Sequence, residues 1–96
     1  MALRLIVTMT AAPGKGAELL QIYKSRCADV MKEPGCEQFE IFQSGVNPDK
    51  LVILERWQDQ ASLDVHSKVN ATRAPIPAEL RVGATEREDY TYNRTR

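Results

Sequence analysis

The sequence predicts an α+β fold, an antiparallel sheet with two helices on one face in the ferredoxin-like split-βαβ order. Three observations predict it. Apolar periodicity changes along the chain from every second residue to every third or fourth and back, in the order strand, helix, strand, strand, helix, strand. Glycine and proline stand at the changes, in AAPGKG, EPG, GVNPDK and the stretch around Pro75 and Pro77. The 96 residues carry no repeat, low-complexity run or linker, so residues 1–96 are read as a single domain.

LRLIVTMT, residues 3 to 10, is the first strand: Leu3, Leu5, Val7 and Met9 share one face, and Arg4, Ile6, Thr8 and Thr10 the other. AAPGKG turns the chain. Pro13 suits the first turn of a helix, where its missing N–H would have no partner anyway. Residues 14 to 33 read as the long helix. Leu19 or Leu20, Tyr23, Cys27, Val30 and Met31 form its apolar stripe, with Lys24, Arg26, Asp29, Lys32 and Glu33 on the wet side. Pro34 and Gly35 end it.

CEQFEIFQS is the second strand, with Phe39 and Ile41 on one face and Gln38, Glu40 and Phe42 on the other. GVNPDK joins it in a hairpin to LVILERW, residues 51 to 57. DQASLDVHSK is a short second helix in which Asp59 is a good N-cap and Leu63 looks inward with either Val65 or His66. Residues 69 to 82 are a loop with at most one helical turn near Ala78 to Leu80, and ATEREDYTYNR is a final polar strand.

In the third strand Leu51, Val52, Ile53 and Leu54 are apolar in succession, so both of its faces want burial. The helices cover one face. A second copy packed sheet to sheet would cover the other, which leads us to expect a homodimer; the alternative is a monomer with a few exposed aliphatics.

Thirteen basic and thirteen acidic side chains cancel and are interleaved, so no strong field favours nucleic acid or an anionic membrane. No segment reaches the roughly 18 apolar residues of a membrane span. The N-terminal apolar run is short, threonine-interrupted and alternating, which reads as a strand rather than a leader. Cys27 and Cys36 form no CxxC and have no ligand spacing with His66; they read as small, half-buried hydrophobes in a reducing, cytoplasmic setting. One His and two separated Cys make no metal site, and PGKG lacks the length and trailing Ser or Thr of a phosphate loop.

Three stretches carry a family resemblance: Pro13, Gly14 and Lys15 before the first helix; EPGCEQFEIFQS from Glu33 to Ser44; and the run from Leu54 to His66, where Glu55, Trp57, Leu63 and His66 follow an E-x-W, apolar, His order. Over roughly residues 3 to 70 the chain resembles the antibiotic biosynthesis monooxygenase domain, the small dimeric α+β barrel group of quinol monooxygenases, anthrone oxygenases and haem-degrading monooxygenases. The resemblance implies a dimeric α+β barrel and a cofactor-independent monooxygenase that oxidises a small quinol, anthrone or phenol with dioxygen. A deprotonated, electron-rich ring can itself give an electron to dioxygen, so the protein need supply no metal or flavin. It must hold a flat ring in a dry pocket, favour its anion and stabilise the developing oxyanion.

For that chemistry Trp57 would be an aromatic wall, and His66 a base or hydrogen-bond donor, since imidazole titrates near neutral pH. Tyr23, Phe39, Asn70 and Arg73 are the substrate-binding candidates, the last two in a loop over the mouth; each also reads as packing or a solvated surface. Glu55 reads as structural, since a buried Glu is rare without a partner. Many quinol-oxygenase-like members carry a second His a few residues on, where Asn70 and Ala71 stand here. The haem-degrading branch needs an Asn in the first strand and a further axial His, and this sequence has neither. A non-catalytic dimeric barrel that binds small molecules or serves a stress response is the other reading, because one scaffold hosts several chemistries and some members with none.

Overall fold

Residues 2–92 are described by a computed structural model. The order is β1 (Ala2–Ala11), α1 (Gly16–Val30), β2 (Cys36–Gln43), β3 (Lys50–Trp57), α2 (Gln60–Asn70), a 3-10 turn (Ala78–Leu80) and β4 (Arg81–Tyr92). The strands form one antiparallel sheet in the order β2-β3-β1-β4. This is the split-βαβ arrangement expected from the periodicities, and β4 begins three residues earlier than its sequence indicates. Asn93 and Arg94 of the expected last strand lie outside the described residues.

Alternation in β1 and β3 sets the layers. Leu3 faces Trp57, Leu5 faces Glu55, and Met9 faces Leu51 across the central pair. With Ile53, these side chains are buried under the helices. Leu19, Tyr23, Cys27 and Val30 of α1 supply the opposite wall, so the three- and four-residue steps of the sequence do meet the two-residue steps of the sheet. Ile6, Val52 and Leu54 point to the helix-free face and are only half-buried, and Phe42 beside them is 43% exposed.

Three local expectations are corrected. Pro13 is not in the helix. Lys15 N–H donates to Ala12 O at 2.8 Å, and Gly14 takes φ +78°, which makes Pro13 the second residue of a tight turn before α1. Met31 leaves the apolar stripe, because the helix ends at Val30; its sulfur instead accepts the Phe39 N–H at 3.1 Å. The second helix runs on to Asn70, and it is His66 that turns inward while Val65 is exposed.

The start of α1 has no side-chain cap of its own. Asp49, from the β2–β3 turn, serves instead: its carboxylate accepts from Gly14 N–H and Gly16 N–H, each at 3.0 Å. Asp59 caps α2 in the ordinary way, through Ser62 N–H at 2.8 Å. Gly16 packs so closely that a Cβ there would fall 1.9 Å from Pro48 O. Helix propensity alone favours Gly16→Ala by about 1 kcal/mol. The contact reverses that sign, so Gly16→Ala should lower the urea midpoint, and by more than Asp49→Ala, whose lost cap costs about 1 kcal/mol. A stabilised Gly16→Ala protein would contradict this packing.

Candidate functional site

Residues two apart on β3 share a face, so Glu55 and Trp57 enter the core together. Trp57 is fully buried, and its Nε1–H donates to Glu55 Oε1 at 2.9 Å. Each thus answers the polar need of the other, since a buried indole N–H wants an acceptor and a buried carboxyl wants a donor. Leu63 and His66, three apart, form the inner face of α2. The imidazole lies on Trp57 with ring centroids 4.7 Å apart and Phe39 tilted beside it at 5.6 Å.

His66 is held from behind by Glu33. Its Nδ1 is 3.0 Å from Glu33 Oε1, while Glu33 Oε2 is 2.8 Å from Arg73 Nη2. Glu33 was expected on the wet side of the first helix. It lies instead beyond the end of α1, in the turn before Pro34, and points into the site with its side chain 12% exposed. Arg26, also expected to be solvated, donates to Ala74 O at 2.6 Å and to Asn70 Oδ1 at 3.4 Å. Arg73 approaches the same Oδ1 at 3.4 Å. Two guanidiniums at the long end of hydrogen-bonding distance favour the amide oxygen on their side, and among the described residues Asn70 Nδ2 makes no hydrogen bond.

In front of His66 is a cavity of about 270 Å³ lined by Leu5, Val7, Glu55, Leu63, His66, Ser67, Asn70 and Arg87. Apolar side chains from β1 and α2 make one part of the wall and ionisable groups the other. Burial pushes the Glu55 carboxyl above the usual carboxylate range, against the Trp57 hydrogen bond and the charges of His66 and Arg87. Arg87 makes two hydrogen bonds of 2.6 Å to Asp89. That contact lowers the Asp89 carboxyl below its usual range and raises the Arg87 guanidinium.

The sequence-derived site residues therefore divide. His66 and Asn70 line the cavity. Trp57 and Phe39 back the imidazole. Trp57 is beneath His66 and not on the cavity wall. Arg73 stands one step behind, through Glu33. Tyr23 lies elsewhere on α1; burial raises its hydroxyl against the nearby charges of Arg81 and Arg26. The sequence does not single out Glu33 or Arg87 as site residues. The only signal for Glu33 is its place before Pro-Gly, where helical spacing no longer says where a side chain points.

Cys27 and Cys36 are free thiols, both pushed up to about 11, chiefly by burial. Little thiolate forms at neutral pH, which leaves them poor nucleophiles. A smaller cavity of about 170 Å³ opens on the helix-free face around Thr8, Phe42 and Val52. It contains no acid–base pair, and the amine of Lys50 beside it is bonded to Thr10. Among the described residues no group of three or more His, Cys, Asp or Glu could hold a metal ion, and no helix is long and apolar enough to cross a membrane.

The sequence matches the profile of the antibiotic biosynthesis monooxygenase family over residues 2–74. Among solved structures, protein PA3566 from Pseudomonas aeruginosa superposes with TM-score 0.81 at 25% identity, covering 97% of this chain and 95% of that one. A conserved protein from Methanosarcina mazei gives TM-score 0.77 at 28% identity, covering 94% and 91%. A protein from Nitrosomonas europaea named for the same family gives 0.79 at 18% identity, covering 93% and 88%, a likeness of fold. No curated protein sequence matches the chain.

The Glu55 environment makes stability depend on pH. The folded chain keeps a proton on Glu55 at pH values where the unfolded chain, with an ordinary glutamate near pH 4.3, has released it. Stability should therefore fall as pH rises from about 4.3 through the raised folded value. Urea unfolding of wild type and Glu55→Gln across that range checks this: the Gln variant should lack the wild-type decline. Parallel curves for the two proteins would contradict it.

Proposed function

The chain belongs to the antibiotic biosynthesis monooxygenase family, and from that membership we propose that it is a cofactor-independent monooxygenase acting on a small phenol, quinol or anthrone. The observation that carries the reading is His66, which is the edge of the cavity on one side and is tied to the Glu33 carboxylate on the other. With Nδ1 occupied by Glu33, Nε2 is the ring nitrogen left to take a substrate proton. The imidazolium formed is then balanced by Glu33, in the manner of a base oriented by a carboxylate.

The remaining parts fit the same chemistry. Leu5, Val7 and Leu63 provide the apolar wall for a flat ring. Asn70 Nδ2 donates to the phenolate oxygen, in place of the second histidine of related enzymes. A cavity of about 270 Å³ is near the lower end of the roughly 300 to 1,000 Å³ usual for small-molecule sites, and so favours one to three fused rings over larger substrates. The phenolate passes an electron to dioxygen, and the two radicals combine to a peroxide on the ring carbon. One oxygen atom stays on the substrate and the other leaves as water.

The active form in this proposal is a homodimer. Ile6, Phe42, Val52 and Leu54 leave the helix-free face apolar, and an isologous sheet-to-sheet contact covers it in both copies.

Oxygen consumption by flavin-free, chelator-treated protein, measured against a panel of quinols and anthrones, tests the activity, and sedimentation of the same sample tests the dimer. Uptake above the autoxidation blank is expected. His66→Ala should lose on the order of 10²-fold or more of it while remaining a folded dimer. No uptake across the panel, with the ligands still bound, would overturn the oxygenase in favour of a binding protein.

A further inference from the structure

We propose that Glu55 is a second catalytic residue of this cavity, the general acid that gives its proton to the departing oxygen of the substrate hydroperoxide, opposite His66 as the base. The inference rests on the oxygenase reading above and adds to it the group that cleaves the O–O bond.

The geometry separates the two groups. Trp57 touches both, holding Glu55 Oε1 through its N–H and His66 through its ring face, and no hydrogen bond joins Glu55 to His66. Oε2 is then the carboxyl oxygen left for the cavity that Glu55 lines. His66 has an anion at its back, whereas Glu55 has an indole N–H, is buried, and shares the cavity with Leu5, Val7 and the Arg87 guanidinium. Such a division of environments is how a site keeps one group as base and another as acid at the same pH. Burial acts in the same sense, since it keeps the proton on Glu55 where an exposed glutamate would be ionised. The other charged or titratable groups near this carboxyl are His66 from α2, Arg87 and Asp89 from β4, Cys27 from α1 and Cys36 from β2.

The step balances. The imidazolium left by the first proton transfer gives its proton to the peroxide anion, so His66 is neutral again and the resulting hydroperoxide carries its O–OH on a carbon that retains one hydrogen. His66 Nε2 takes that hydrogen as a proton, and the C–H electron pair becomes the second bond of the new C=O. The O–O bond breaks, and the departing hydroxide receives the Glu55 proton and leaves as water. The Glu55 carboxylate is then reprotonated from His66 through solvent. Going from CH₂ to C=O the carbon loses four electrons, all taken by one dioxygen, so no outside reductant enters.

The test uses the full chain with 1,8-dihydroxyanthrone and dioxygen in rapid-mixing absorbance, comparing wild type with Glu55→Gln. The amide oxygen of Gln can still accept from Trp57. The variant should bind the anthrone with unchanged Kd and still consume dioxygen. Carbonyl product should form about 100-fold more slowly, with a hydroperoxide accumulating or hydrogen peroxide released. The wild-type kcat should fall as pH rises through the Glu55 titration, and the Gln variant should lack that limb. Product at the wild-type rate with an unchanged pH profile would overturn the acid role and leave the oxygenase standing. A wild-type protein that consumes no dioxygen would overturn both. If Glu55→Gln does not fold, the wild-type profile decides: a high-pH fall in kcat supports the acid, and a flat alkaline limb overturns it.

Discussion

An ionised side chain buried alone costs roughly several kcal/mol, and the site is organised around avoiding that cost. Glu33 is the centre of the solution. One of its oxygens meets His66 and the other meets Arg73, so a carboxylate at the end of α1 fixes an imidazole on α2 and a guanidinium just beyond it. These contacts tie α1, α2 and the following loop together. Arg26 reinforces the arrangement by holding Ala74 O and the Asn70 amide. The aromatic pair beneath supplies the floor. Trp57 has no exposed surface and gives His66 a ring to lie on, so both the position and the tilt of the imidazole are set by packed or bonded neighbours.

The sheet contributes through its two-residue repeat. The alternation that buries Leu51, Ile53 and Trp57 places Glu55 in the same row, the one carboxyl among four inward side chains of β3. That position is tolerable because Trp57 Nε1 meets it and because protonation is available to it. The same alternation sends Val52 and Leu54 to the opposite face. The strand that carries the cavity on one side thus carries a half-buried apolar surface on the other.

Much of this was legible in the sequence because period and punctuation are local signals. Strand alternation, the stripe of Leu19, Tyr23, Cys27 and Val30 and the Asp59 cap all rest on residues close in the chain. What was missed depends on turns and distant partners. Pro13 reads as helical until Gly14 adopts a left-handed φ. Helical spacing gives Met31 and Glu33 faces only if the helix runs past Val30, where it ends, and beyond that point spacing carries no information about direction. His66 and Val65 were equally good inward residues on sequence alone; Glu33, Phe39 and Trp57, all far from α2 in sequence, make the choice. Trp57 reads as large and inward-facing, and nothing local in the chain places it behind His66 instead of at the cavity wall.

In the proposed site Glu33 dictates which nitrogen of His66 works in the cavity. The chain has a single histidine, so its imidazole nitrogens can be read in 15N NMR without ambiguity. With the ring neutral, we expect the proton on Nδ1, shared with Glu33, and a bare Nε2 facing the cavity, and Glu33→Gln should weaken that preference. A neutral ring protonated on Nε2 with Nδ1 bare would mean that Glu33 does not accept from His66, and Nε2 would then have no lone pair with which to take a substrate proton.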